Sequence, residues 1–333
     1  MTKLTLVQNS NAANWEKEFL LRVKNELSQP NQGTNFQIVD HIEQADLVLY
    51  LDSVTKKSIK RELAEHQILL KKVQAKGGAL FSLNFQDRPL GVLPGIYTSL
   101  EPKNFDSTLH LSWPHLEPPN SNVETTPAKC SRQPPFLFTF AGSCSHRLRR
   151  KLFSLYAGKS GDRWKVVEID RWYDHTEQEK AQYVQDVIDS QFVLCPRGIA
   201  AYSHRIFESI LLERVPVIIA DDWIPFSFPN RGYYVRVPEK DIGQIESILE
   251  RELENYDSYL TNIREIKLRW FNKHSRYRNA IEHFLQFHQK NRPQHDPAKL
   301  SERLRSTEFQ RNNKLLCHQR LLQTAAKLFE QLP

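Results

Sequence analysis

Apolar positions along the first third of the chain follow two rhythms. The runs at 4–7, 36–39, 45–52 (ADLVLYLD) and 79–85 (ALFSLNF) are apolar at most positions, which predicts strands with buried faces. Between them, Trp15, Phe19, Leu20, Val23 and Leu27 recur at helical spacing, and a basic helix is predicted from 57 to about 76, stopped by Gly77 and Gly78. A last strand falls at 109–113. Strands alternating with helices predict a parallel sheet covered on both faces.

Residues 114–135 break the pattern with Pro114, Pro118, Pro119, Pro127, Pro134 and Pro135 among Asn, Ser and Thr. A second series then opens with a strand at 135–142. It runs through a helix at 146–156, a strand at 164–169, a helix at 177–190, a strand at 192–195, a helix at 203–213 and a strand at 215–220. Beyond Asp241 helices dominate, including the charged stretch 299–331 with Leu300, Leu304, Leu315, Leu322 and Leu328. The expectation is an α/β protein of two Rossmann-like domains facing across a cleft, with C-terminal helices. Its domains are 1–120, a Pro-rich linker 121–134, a second domain 135–290 and a helical extension 299–331.

A chain of 333 residues with 40% hydrophobic content can fill two cores. The formal charge of +7 favours an anionic partner, and a nucleotide diphosphate, a nucleic acid or an acidic membrane surface would each satisfy it. Lys/Arg clusters at 56–61, 147–151 and 264–278 fall on separate predicted helices without a recognition motif, so no nucleic-acid partner is expected. Cys130, Cys144, Cys195 and Cys317 have no metal-binding spacing and read as reduced thiols. The N-terminal segment turns polar early, and no run approaches the roughly 20 apolar residues needed to cross a bilayer. A cytoplasmic location is expected, with peripheral membrane association left open.

The chemistry concentrates in residues 192–226, FVLCPRGIAAYSHRIFESILLERVPVIIADDWIPF, which read as strand, turn, helix, strand and turn. Gly198 permits a tight turn, and Ser203 is placed to cap the helix that follows. The free N–H groups of that helix then open at the carboxyl edge of the sheet, where such sheets hold phosphates. Ile206, Phe207, Ile210 and Leu211 form the apolar helix face. Arg205 and Glu208 are expected on the opposite face, either meeting a ligand or forming a solvated ion pair.

This segment resembles the donor-binding core of the exostosin family, glycosyltransferase family 47. The likeness rests on Pro196-Arg197-Gly198, Ser203, Arg205, Phe207, Glu208 and Val215-Pro216-Val217, followed by Trp223, Pro225 and Phe226. FTFAGSCSHRLRRKLF (138–153) is similar to the family's strand, Gly turn and Arg-bearing helix. ALFSLNFQDRP and YTSLEPKNFDSTLHLSWP resemble its acceptor-side segments, so that the likeness covers roughly 79–226.

The resemblance implies a GT-B type fold and inverting transfer from a nucleotide sugar, a UDP-sugar first, to a glycan, lipid-linked sugar or protein. It places Gly142 in the turn, Arg147, Arg149 and Arg197 on the diphosphate, and Gly198, Ser203 and Arg205 around the phosphate or sugar. Glu208 takes the ribose hydroxyls. Fixed guanidinium groups and a helix N-terminus can stabilise a departing diphosphate, so neither a metal nor a cofactor is expected. Asp221 and Asp222 are adjacent and read as loop residues. Asp87, after the strand 79–85, is the first candidate base, with Asp52 and His146 next. His175, His274, His283 and His288 read as surface groups. A non-catalytic nucleotide-sugar or glycan-binding protein of the same fold is the alternative.

Overall fold

The buried runs pair into sheets in a computed structural model that describes residues 1–8, 14–28, 35–52, 66, 68–73, 75–126, 134–156, 162–171, 174–229, 232–292, 295, 297–313, 323 and 327. The first series forms β1 (Thr2–Gln8), α1 (Asn14–Leu27), β2 (Phe36–Ile38), β3 (Leu47–Leu51), β4 (Ala79–Asn84), β5 (Gly95–Tyr97) and β6 (His110–Ser112). The sheet is parallel throughout, in the order β2-β1-β3-β4-β5-β6. All of β3 is buried, as its apolar run requires. In α1, Phe19, Leu20, Val23 and Leu27 form the buried face, while Trp15 is exposed. The strand β5 is absent from the sequence expectation because three residues carry no periodicity. A Cβ on Gly95 would stand 2.0 Å from the Ser82 carbonyl oxygen, so glycine is what lets the two strands approach. Most of the helix expected at 57–76 lies outside the described residues, as do Cys130 and Cys317 and much of the linker.

The second series forms α2 (Asn122–Thr125), β7 (Phe136–Gly142), α3 (Arg147–Tyr156), β8 (Trp164–Glu168), α4 (Glu177–Ile188), β9 (Ser190–Pro196), α5 (His204–Leu211), β10 (Val215–Ile219), β11 (Val235–Arg236), α6 (Ile245–Glu252) and α7 (Tyr256–Trp270). Its sheet is also parallel, in the order β11-β10-β9-β7-β8. α4 begins with a capping box, in which Thr176 Oγ1 accepts from Glu179 N–H at 3.2 Å and Glu179 Oε2 accepts from Thr176 N–H at 2.7 Å. Pro216, inside β10, is tolerated because β11 pairs only with Val217 and Ile218. The buried Arg214 donates to the Ile188 carbonyl from Nε at 3.0 Å and Nη2 at 2.7 Å, joining the end of α4 to the start of β10.

Contacts divide the chain differently from the expected boundaries. One unit holds Met1–Trp113, Ile224–Ser227 and the chain from Tyr277; the other holds Pro114–Trp223 and Phe228–Arg276. The helices α8 (Arg276–Asn291), α9 (Pro297–Arg305) and α10 (Thr307–Asn312) follow. The reason for the return at Tyr277 is aromatic and aliphatic packing. Tyr277 meets Phe19 at 6.0 Å between ring centroids, and Phe284 meets Phe81 at 5.0 Å. Leu300, Leu304 and Phe309 complete a core with Val48, Tyr50 and Leu80. The described part of the extension is therefore core-forming; Leu315, Leu322 and Leu328 lie outside the described residues. Among the described residues no helix is long and apolar enough to cross a membrane.

Candidate functional site

The strand order of the second sheet locates a crevice before any side chain is considered. β7 and β9 are neighbours, yet the chain runs from β7 outward to β8 and from β9 outward to β10. In open parallel sheets, ligands bind at the carboxyl ends of such a strand pair, where the following connections diverge. Here those connections are 143–146, leading into α3, and 197–203, leading into α5.

Two arginines cross between these connections. Arg149, on α3, donates from Nη2 to the Pro196 carbonyl at 3.1 Å and from Nε to the Arg197 carbonyl at 3.1 Å, both at the end of β9. Arg205, on α5, donates from Nε at 2.9 Å and also from Nη2 to the Ala141 carbonyl, at the end of β7. Both guanidinium groups lie over the Phe140 ring, at 5.7 and 5.1 Å from its centroid. The motif glycines make room for them. A Cβ on Gly142 would come within 2.6 Å of Arg205 Nη2, and one on Gly198 within 3.1 Å of Arg149 Nη2. At Gly198 the constraint is one of space, a Cβ there obliging the Arg149 guanidinium to give by a few tenths of an ångström, since the backbone is outside the left-handed region. Burial and the nearby Arg205 charge lower the Arg149 pKa to about 9, so it stays cationic at neutral pH. These two arginines hold the edge together and make it positive, with much of their donor capacity spent on carbonyls.

Other groups keep unused capacity. Arg197 is buried and donates from Nη1 to Asp222 Oδ2 at 2.8 Å, with Glu239 Oε1 at 3.6 Å, while its Nε has no partner among the described residues. Ser203 occupies the N-cap of α5 in an extended conformation, but against expectation its hydroxyl accepts no helix N–H. Ser203 Oγ, Ser145 Oγ and His204 Nδ1 are likewise buried without a partner among the described residues. Each buried polar group left unsatisfied costs about 1–3 kcal/mol, so these atoms call for a partner, which an ordered water or a ligand would supply. His146 Nδ1 accepts from Leu148 N–H at 3.3 Å, which leaves the ring proton on Nε2. Burial and the Arg197 charge push its pKa down. Arg147 lies exposed on α3.

Glu208 departs from its expected place. It is buried at 5% exposure and accepts from the Tyr183 hydroxyl on α4 at 2.6 Å, and burial raises its pKa. No free outward face of α5 exists, because the helix packs against α2 and α7 as well as the sheet. Arg205 and Glu208 therefore point to different partners instead of a shared surface. Asp221 and Asp222 act as loop residues: Asp222 meets Arg197, and Asp221 Oδ1 accepts from Glu239 N–H at 3.1 Å.

The two carboxylate candidates for the base belong to the first unit. Asp87 stands on the exposed loop after β4, where lost hydration raises its pKa and Arg88 opposes the rise. Asp52 is buried at the end of β3, accepting from Ser82 Oγ at 2.7 Å with His66 Nε2 at 3.4 Å, and so has no free access to an acceptor. His283 and His288 are not free surface groups. The first has Nε2 3.1 Å from the Ser227 carbonyl, and the second has Nδ1 2.8 Å from His295 Nδ1. Sequence reasoning did not single out Tyr183, His115, Tyr202 or His204; the only available signal was that two of them flank Ser203.

Residues 95–251 match the family model for the exostosin GT47 domain. This segment is similar to the exostosin GT47 domain. It begins at β5, ends within α6 and contains both connections described above. Over 91 residues the chain is 38% identical to the probable glucuronoxylan glucuronosyltransferase IRX7 of Arabidopsis thaliana, covering 26% of this chain and 20% of that protein. Over 89 residues it is 34% identical to the probable beta-1,4-xylosyltransferase IRX10L of the same plant, covering 26% of this chain and 21% of that one. The matches therefore span about a fifth of these relatives' length. Among solved structures, the chain is similar to the lipopolysaccharide outer core galactosyltransferase WaaB in its apo form, with 12% identity, a TM-score of 0.48, and coverage of 85% of this chain and 99% of that one.

Proposed function

We propose that the protein is an inverting glycosyltransferase that takes a sugar from a UDP-sugar and gives it to a hydroxyl of a glycan. The observation that carries this reading is the set of buried, unpartnered polar atoms on Ser145, Arg197, Ser203 and His204 within the exostosin GT47 domain. The donor diphosphate lies on these groups at the carboxyl ends of β7 and β9. Arg149 and Arg205 contribute fixed positive charge, and Arg197 exchanges its exposed partner Asp222 for a phosphate oxygen. As the glycosidic bond to the diphosphate breaks, the electron pair leaves with the phosphate oxygen, and preorganised cations stabilise that charge without a metal. The acceptor oxygen bonds to the anomeric carbon from the opposite side and gives its proton to a base.

Of the three candidates for the base, Asp87 is the exposed carboxylate. Asp52 is committed to Ser82, and His146 carries its proton on the ring nitrogen that remains free. The names of the relatives support glycan acceptors and donors of the glucuronosyl or xylosyl type.

A turnover assay tests the reading: UDP-xylose and UDP-glucuronate are each supplied with xylo-oligosaccharides, and UDP release is followed together with product mass. Release coupled to an oligosaccharide longer by one residue is expected. Tight binding of both donors with no turnover would instead support a non-catalytic binding protein.

A further inference from the structure

The turn that follows β10 stands against Arg197. Ala220 and Trp223, at its two ends, are buried, while Asp221 and Asp222 form an exposed tip. Arg236 clamps this turn from the neighbouring strand β11, where its pairing with Ile218 sets it at the base of the turn. Its Nη2 donates to the Asp221 carbonyl at 2.8 Å and to the carbonyls of Ala220 and Trp223 at 3.3 Å each. Glu239 adds a second hold. Its Oε1 accepts from Asp221 N–H at 3.3 Å, and its own N–H donates to Asp221 Oδ1 at 3.1 Å. A turn fixed in this way at its backbone sets Asp222 Oδ2 2.8 Å from Arg197 Nη1.

The two acids that face Arg197 differ in freedom. Glu239, with a side chain 17% exposed and 3.6 Å from Arg197 Nη1, is tied to the backbone of the turn, so it stays and orients the guanidinium group. The Asp222 side chain is 51% exposed, and rotation returns it to water at little cost. With both acids in place, one buried cation meets two carboxylates, and an incoming diphosphate meets like charge.

We propose that Asp222 is a built-in competitor for the donor's diphosphate, and that Arg236 is the positioning residue that holds it on Arg197. Donor binding displaces Asp222 into solvent. After transfer, Asp222 returns to Arg197 and speeds departure of the nucleotide diphosphate, a step that often limits turnover. This device presupposes the glycosyltransferase reading, in which Arg197 meets the phosphate, and adds a control on how tightly it does so.

Isothermal titration of UDP into the full chain tests the device, with thermal melts confirming that each variant is folded. Asp222→Asn is expected to bind UDP about threefold or more tightly than the wild type, on the scale of a part-exposed ion pair. Asp221→Asn makes the same charge change one residue away and keeps an acceptor for Glu239 N–H, so its affinity should stay within about twofold of wild type. Arg236→Gln removes a positive charge, which by itself weakens anion binding. It should nevertheless bind UDP more tightly, because the turn no longer holds Asp222 in place. Asp222→Asn combined with Arg236→Gln should gain nothing over Asp222→Asn alone. Asp222→Asn, at an exposed tip, keeps the question decidable if Arg236→Gln is unstable. No gain in Asp222→Asn, an equal gain in Asp221→Asn, or a loss in a folded Arg236→Gln overturns the device and leaves the glycosyltransferase reading standing. Failure of every form to bind UDP overturns both.

Discussion

Arg149 and Arg205 each reach across to the strand that the other's helix follows, and this exchange explains two glycines that a motif alone leaves ambiguous. At Gly142 and Gly198 the requirement is room for a guanidinium group. Gly142→Ala should push Arg205 off the Ala141 carbonyl, leaving a buried acceptor unpaired at a cost of about 1–3 kcal/mol. Thermal unfolding should show that loss, and UDP affinity should fall about tenfold with it. Gly243→Ala, where a Cβ meets nothing within 4 Å, is the neutral control. An unchanged melt and affinity for Gly142→Ala would mean that the arginine relocates freely. The sequence showed the arginines, the glycines and their spacing. It did not show that carbonyls would claim two of the three guanidinium groups, because no periodicity says which acceptor a long side chain reaches.

At the scale of elements, α5 carries the most chemistry and the least freedom. It is buried from Ile206 to Leu211, with Glu208 facing Tyr183 on α4. Apolar spacing identified one buried face correctly and implied an exposed opposite face, but α2 and α7 cover that side. Neither helix could be placed there from periodicity, which tells which face is apolar and not what packs beyond it. The same limit hid the return of α8, α9 and α10 to the first unit. The long apolar runs of β3, β7 and β10, by contrast, were legible because a strand buried on both faces leaves little else for such a sequence to do. Tyr183→Phe should destabilise the protein by about 1.5–3 kcal/mol, since it strips a buried carboxylate of a hydrogen bond. Chemical denaturation would measure this, with UDP affinity expected to change less than twofold. A tenfold loss of UDP affinity at unchanged stability would instead put Glu208 on the donor.

For the molecule as a whole, two parallel sheets follow one another in the chain, and the second has the strand order that opens a crevice between β7 and β9. The net charge of +7 named an anionic partner without choosing it. In the function proposed above, the partner is a nucleotide diphosphate held by Arg197, Ser203 and Ser145 at that crevice, within the segment that matches the exostosin GT47 model. The central claim is that Arg197 is the arginine that meets it. Titration of UDP into wild type and Arg197→Ala, with both variants shown to melt alike, tests this most directly. The wild type is expected to bind UDP clearly, with at least a tenfold loss in Arg197→Ala. Equal affinity in the two proteins would contradict it.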